Sequence, residues 1–263
     1  MSTIFNISDK LKLSNIRPLL LDLYTGSAAA YSLRSLSYNT TNVVRVREDA
    51  GNTEQDFTAA EITNGTLEAF VGAGNNGYVV TWYDQSGNGN DAIQSTASAQ
   101  PQIVSNGVII TENGKPSLKS LDGTTGLNIS YTGSADFYSF AIGKVPLSNQ
   151  GILYTGDTSV EYILGSKQGG TSTTISANAG TPVYYRNGDV ITFANRGDVY
   201  NEFINQSLIT IEADTSIWSG LEFGYSYFAI GMYNLQEVVI YHSDQTDNKA
   251  DIETNINNHY NIY

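Results

Sequence analysis

The turn Trp82-Tyr-Asp-Gln-Ser-Gly-Asn-Gly-Asn-Asp-Ala92 is the densest cluster of potential ligands in the sequence. Asp84, Ser86 and Asn88 occupy the first, third and fifth places of a calcium loop and Gly89 the sixth, but Ser95 stands where a bidentate glutamate closes such a loop. Two readings follow. In one, Asp84, Ser86 and Asn88 hold calcium, the single cofactor the chain would then take. In the other, the main expectation, Asp84, Gln85, Ser86, Gly87, Asn88 and Gly89 form a structural turn: Asp84 and Asn88 satisfy backbone donors while the glycines adopt positive φ. The two histidines, His242 and His259, offer few donors for a Ser-His-Asp triad or a histidine metal site, and both are expected to be surface or packing residues. Aromatic residues are plentiful, with 18 tyrosines and two tryptophans. Tyr184, Tyr185, Tyr200, Trp218, Tyr225 and Tyr227 fall in or beside loops, where rings stack on sugar faces and hydroxyls bond sugar hydroxyls. The competing reading, that such rings fill a β core, stands beside it.

These groups must be positioned by a chain of 263 residues, long enough for one large core. The net charge of −13 repels phosphate backbones, so nucleic acid is not expected as a partner. The absence of cysteine removes disulfides, thiol nucleophiles and cysteine-based metal sites. The longest apolar run near the start, Leu19 to Leu21, is far too short to insert into a membrane, and no secretory signal is evident.

Residues 1–19 show no sustained period and read as an arm or tether, leaving 20–263 as the folded domain. Ser27 to Leu36 is alanine-rich with a serine cap, which predicts a short helix. Asn42 to Glu48 alternates Val44 and Val46 with Arg45 and Arg47, a half-buried strand. Thr58-Ala-Ala-Glu61 has capping-box spacing, and Thr66 to Val71 continues as a helical turn stopped by Gly72. Gly77 to Tyr83 predicts another strand, with Tyr78, Val80 and Trp82 on one face and Val79 and Thr81 on the other. Beyond Asp91 short apolar stretches recur between Asn-Gly, Asp-Gly, Thr-Gly and Gly-Gly turns, among them Gly107–Thr111, Ser117–Leu121, Leu127–Tyr131, Tyr138–Lys144, Ser207–Glu212, Tyr227–Met232 and Leu235–His242. So many short strands, with no fixed-length repeat, predict an all-β fold: a two-sheet antiparallel jelly-roll sandwich with a few short helices. Ile252, Ile256 and Tyr260 predict a terminal amphipathic helix lying on it.

The Tyr83-Asp-Gln-Ser-Gly-Asn-Gly89 turn, with Ala29-Ala-Tyr-Ser-Leu-Arg34 and Val43-Val-Arg-Val-Arg47 before it and Glu112-Asn-Gly-Lys-Pro116 after it, resembles the catalytic domain of fungal-type α-L-arabinofuranosidase B, glycoside hydrolase family 54. The resemblance runs from about Leu20 to the C-terminus and implies a concanavalin A-like, laminin-G-like jelly roll. The same motifs, with Glu237-Val-Val-Ile-Tyr241 and Ile256-Asn-Asn-His-Tyr260, also resemble surface proteins of phages and Bacteroidetes-type bacteria.

Hydrolysis with retention requires two carboxyls about 5 Å apart. The resemblance places the nucleophilic glutamate shortly after Tyr154-Thr-Gly156, where Thr158 and Ser159 stand, and the acid/base aspartate within Phe223-Gly-Tyr-Ser-Tyr-Phe228, which has no carboxylate. Asp157 and Glu161 lie near the first position as displaced substitutes. With both positions vacant, the expectation is a non-catalytic module: a virion surface protein, such as a head fibre, decoration or tail-associated subunit. It would be assembled in bacterial cytoplasm, tethered to other virion proteins by its N-terminal arm and turned toward a host glycan. Symmetry predicts a homo-oligomer, a trimer among the options. The alternatives are an active glycoside hydrolase of arabinofuranosidase type and a bacterial surface adhesion domain.

Overall fold

The computed structural model describes residues 18–121, 125–144, 150–156, 160–223, 230–231 and 233–263. Most of the arm expected over 1–19 therefore lies outside the described residues. The chain is an all-β sandwich of two large, mostly antiparallel sheets with a few short helices.

The strands of the two sheets, in chain order, are β1 (Ser27–Ser32), β2 (Asn42–Glu48), β3 (Glu54–Thr58), β4 (Gly77–Trp82), β5 (Ala92–Ile93), β6 (Gln102–Ser105), β7 (Val108–Ile109), β8 (Leu127–Ser130), β9 (Phe137–Lys144), β10 (Tyr154–Thr155), β11 (Tyr162–Ile163), β12 (Val183–Arg186), β13 (Asp189–Ile191), β14 (Ser207–Ala213), β15 (Gly220–Phe223) and β16 (Tyr233–Tyr241). The six-stranded sheet runs β1-β16-β9-β14-β12-β13. The ten-stranded sheet runs β11-β10-β15-β8-β5-β4-β2-β3, with β6 and β7 attached beside β4. The helices are α1 (Leu20–Leu23), α2 (Ala59–Thr63), α3 (Thr66–Val71), α4 (Arg196–Glu202) and α5 (Lys249–Tyr260).

The six-stranded sheet is buried on both faces, which explains its near-continuous apolar strands. Val238 and Ile240 of β16 face the core between the sheets, where they meet Tyr31, Trp82 and Phe223. Val239 and Tyr241 face the other way, into a second core closed by Ile252, Ile256 and Tyr260 of α5 and by Leu20 and Leu21 of α1. The four-residue spacing of Ile252, Ile256 and Tyr260 thus does what the sequence predicts. So does the capping box: the Glu61 amide donates to Thr58 Oγ1 at 3.3 Å, and Glu61 Oε2 accepts from the Thr58 amide at 2.9 Å. Gly72 ends α3 at φ +81°.

Three expectations are corrected. Ser27 to Leu36 is not a helix: Ser27–Ser32 is β1, an edge strand paired with β16, and long-range pairing overrides its alanine-rich helix propensity. Ser117–Leu121 makes only isolated bridges, Leu118 to Leu235 and Lys119 to Gln102. In β4 the expected strict alternation fails. Val46 pairs with Val79 and Arg45 with Thr81, so Val80 is an extra, bulged residue and both Val79 and Trp82 reach the core.

An ion pair ties β1, β16 and α5 together. Arg34 Nε and Nη2 donate to the two oxygens of Glu237 at 2.8 and 2.9 Å, and Ser32 Oγ and the Tyr260 hydroxyl also reach that carboxylate. Burial alone would raise the Glu237 carboxyl's pKa, but the Arg34 charge and these donors outweigh it and hold it below its ordinary value. A depressed carboxylate adds stability that is complete above the ordinary glutamate value of 4.5 and is lost as pH falls toward the folded value. Arg34→Met, which strands the fully buried Glu237 charge, is expected to cost about 3–5 kcal/mol in urea unfolding at pH 7. The deficit relative to wild type should shrink below pH 4.

Candidate functional site

The ten-stranded sheet turns polar side chains outward. Direct cross-strand partners share a face, and one row of partners crosses the sheet: Tyr162, Thr155, Glu222, Asn128, Ile93, Thr81, Arg45 and Asp56. At about 4.8 Å per strand this row spans roughly 34 Å. Their inward neighbours Tyr154, Phe223, Leu127 and Val44 are buried, so the alternation expected of half-buried strands sets the face.

One end of the row is locked by charge. Arg45 Nε and Nη2 donate to Asp56 at 2.6 and 3.0 Å, and the Tyr83 hydroxyl donates to Asp56 Oδ1 at 2.7 Å. The Arg45 hydrogen bonds hold the Asp56 carboxyl below its ordinary value. At the other end Thr155 Oγ1 lies 3.4 Å from Glu222 Oε2. The Tyr162 hydroxyl accepts from Arg196 Nη2 at 2.5 Å, and the same guanidinium sits over the Tyr162 ring at 5.1 Å.

Glu161 lies just before β11, at the return of the β10–β11 hairpin. The Gly156 amide donates to its carbonyl at 2.8 Å, so Glu161 sits opposite Gly156 at the end of β10. Its side chain packs over Gly156, where a methyl would come within 2.5 Å of Oε2. The residue is 8% exposed, and Oε2 has no hydrogen-bond partner among the described residues. A buried carboxylate oxygen left without a donor is costly and calls for a ligand or a functional explanation. Of the two displaced carboxylates named from sequence, Glu161 is therefore placed at the hairpin, while Asp157 lies outside the described residues, as do Thr158 and Ser159.

The acidic turn is structural in its bonding. Asp84 Oδ1 accepts from the amides of Ala30 and Ser86, both at 2.9 Å, and Oδ2 from Ser86 Oγ at 2.7 Å and the Asn90 amide at 3.0 Å. Asn88 Nδ2 donates to the carbonyls of Ser27 and Ala28, and Gln85 Nε2 to those of Ser32 and Arg34. Gly87 and Gly89 adopt φ +88° and +75°. The oxygens that a cation would need are aimed at N–H and O–H donors.

The aromatic residues expected as sugar platforms are placed differently. Tyr184, Tyr200 and Trp218 are buried, Tyr184 beside Phe193 and Trp218 with its indole N–H on the Asn178 carbonyl. Tyr185 is half-buried, its hydroxyl on Glu212 and its ring under Lys249 at 4.1 Å. These four are corrected from loop platforms to packing residues; Tyr225 and Tyr227 lie outside the described residues. His259 packs edge-on against Tyr260, and burial together with the Arg34 charge lowers its pKa to about 4. Sequence reasoning missed Glu222, whose signal was a lone carboxylate between the apolar Leu221 and Phe223.

No protein-family model matches the chain, and no curated protein matches it either. The sandwich is similar to solved arabinofuranosidases. One, complexed with arabinofuranosyl-α-1,2-xylobiose, gives a TM-score of 0.55. A family 54 α-L-arabinofuranosidase soaked with a cyclic sulfate inhibitor gives 0.51. A mutant of a family 54 enzyme soaked with 4-nitrophenyl α-L-arabinofuranoside gives 0.52. Each is 16% identical over 90% of this chain, and the chain spans 64% of each of theirs. The class defined is thus an all-β sandwich with the fold of these glycoside hydrolases. The expectation of a non-catalytic virion surface module is corrected: the structural neighbours are enzymes, and the vacancy it rested on was judged from chain position alone.

Two outcomes test the turn. Asp84→Ala removes four donors' acceptor, and with each bond to a charged group worth about 1.5–3 kcal/mol it is expected to destabilise by 3 kcal/mol or more. Millimolar calcium should leave the melting temperature of the native chain unchanged, because a ligand stabilises only where it binds the folded state.

Proposed function

We propose that the chain is a glycoside hydrolase of arabinofuranosidase type, built on a jelly roll of the concanavalin A-like kind and acting on a glycan bound at the β10–β11 end of the ten-stranded sheet. The observation that carries this reading is Glu161, a buried carboxylate at the end of β10 with an oxygen that no donor among the described residues reaches. Glu222 on β15 pairs with Thr155, one residue before the Gly156 that Glu161 opposes, so it faces the other side of the sheet and is assigned no catalytic role. Glu161 is assigned the nucleophilic attack on the anomeric carbon, since it is shielded from water. The leaving oxygen draws its proton from solvent, and water then cleaves the glycosyl ester on Glu161. The likeness to three arabinofuranosidases supports the sugar class.

Release of 4-nitrophenol from 4-nitrophenyl α-L-arabinofuranoside by the intact chain is the test. Glu161→Gln should lower the rate by about 10²–10⁴-fold with the fold intact, whereas Glu222→Gln, on the opposite face, should leave it largely unchanged. Turnover unaffected by Glu161→Gln, or no turnover by the native chain, would overturn the assignment. Gly156→Ala, which displaces the Glu161 carboxylate, should depress turnover while changing the melting temperature less than Asp84→Ala does.

A further inference from the structure

At one end of the sandwich, away from the outer face, the two sheets part to leave a cleft of about 500 Å³. This is within the size range of small-molecule sites. Its walls come from the start of β1, the end of β8, the residue following β16 and the Asp84 turn. Asn88, Asn90, Ser130, Thr132, Tyr131 and His242 supply its polar and aromatic surface, and Ile129 and Leu221 part of its apolar floor.

Several of these groups are already fixed. The amide nitrogens of Asn88 and Asn90 are committed to the Ala28 carbonyl at 3.1 and 2.9 Å, which sets the orientation of both amides and leaves their Oδ1 atoms as acceptors. The Tyr131 hydroxyl is bound to Thr215 Oγ1 at 2.7 Å, so Tyr131 offers the cleft its ring. His242 meets that ring edge-on at 5.3 Å, and its nitrogens have no hydrogen-bond partner among the described residues. Among the described residues no Asp, Glu, Lys or Arg lines the cleft. Partial burial lowers the His242 pKa from its ordinary value, which favours the uncharged ring. Amide and hydroxyl groups around an apolar floor, with one ring and no formal charge, match an uncharged polyhydroxylated ligand and no ionic one.

We infer that this cleft is a second, non-catalytic binding site for a neutral sugar, with the side-chain oxygens of Asn88 and Asn90 accepting from sugar hydroxyls and His242 bonding a further hydroxyl beside Tyr131. The site does not depend on hydrolysis: it lacks carboxyls and lies on the other side of β15 from Glu222.

The chain contains only two histidines, so imidazole NMR signals report the cleft and an internal control at once. L-arabinose and xylobiose are titrated into the Glu161→Gln chain up to about 50 mM, a range that saturates sites of millimolar affinity. The His242 ring signals should shift saturably with at least one sugar while those of His259 stay in place. Galacturonate should shift neither. Thr132→Trp, a change at an exposed residue of the cleft wall, should remove the His242 response, with an unmoved His259 signal showing an intact fold. The inference is overturned if His242 fails to respond to both neutral sugars, if galacturonate moves it equally, or if the response survives Thr132→Trp. The hydrolase reading is scored separately by aryl-arabinofuranoside turnover in the native chain, which Thr132→Trp should leave unchanged.

Discussion

The closure of one sheet edge by the Asp84 turn is the interaction on which the rest of the sandwich depends. β1 is an edge strand of the six-stranded sheet, and its outward backbone groups would otherwise be open to water or to another chain. The turn leaving β4 of the opposite sheet satisfies them in order. Asp84 accepts from the Ala30 amide, the Gln85 amide donates to the Ala30 carbonyl at 2.7 Å, Asn88 and Asn90 donate to Ala28, and the Gln85 side chain to Ser32. The turn acts as a strand made partly of side chains. It also rivets the two sheets to each other, because its two ends belong to β4 and β5 while its bonds go to β1.

That rivet divides labour between the sheets. The six-stranded sheet is covered on one side by its partner and on the other by α1 and α5, so its strands carry apolar residues on both faces and little that could act on a solute. The ten-stranded sheet contributes one face to the shared core and keeps the other for polar residues. Binding chemistry is thereby directed to the outer face and to the sandwich ends, where strands stop and loops begin. In β15 the alternation puts Leu221 toward the end cleft and Glu222 toward the outer row, so two adjacent residues serve opposite sides of one strand.

Much of this was legible in the sequence where local rules act alone. The Asn42–Glu48 strand, the Thr58–Glu61 capping box, the Gly72 stop and the terminal helix each depend on neighbours within a turn or on a simple period. The Tyr83–Gly89 motif was legible as a turn, but not its partners, since β1 is more than fifty residues earlier. Misreading Ser27–Leu36 as helix has the same cause: alanines permit a helix, and only pairing with β16 makes them a strand with Ala29 and Tyr31 on one face and Ala30 on the other. The bulge at Val80 was illegible because one inserted residue inverts the facing of everything after it. The aromatic residues were misplaced because ring-rich strand ends and ring-rich loops look alike until burial is known.

The carboxylates show why a site can be absent along the chain and present in space. Reading forward from Tyr154-Thr-Gly156, a glutamate is missed at Thr158 and Ser159, and the position looks empty. A hairpin reverses the chain there, and the residue that comes back to face the end of β10 is Glu161, opposite Gly156. Antiparallel pairing of β10 with β11 brings a carboxylate from several residues farther along the chain to the end of β10. Gly156 is the residue that permits it: any side chain there would occupy the space that the Glu161 carboxylate now fills. The vacancy inferred from order and the carboxylate found by pairing are therefore compatible, since order along the chain and pairing across the hairpin answer different questions.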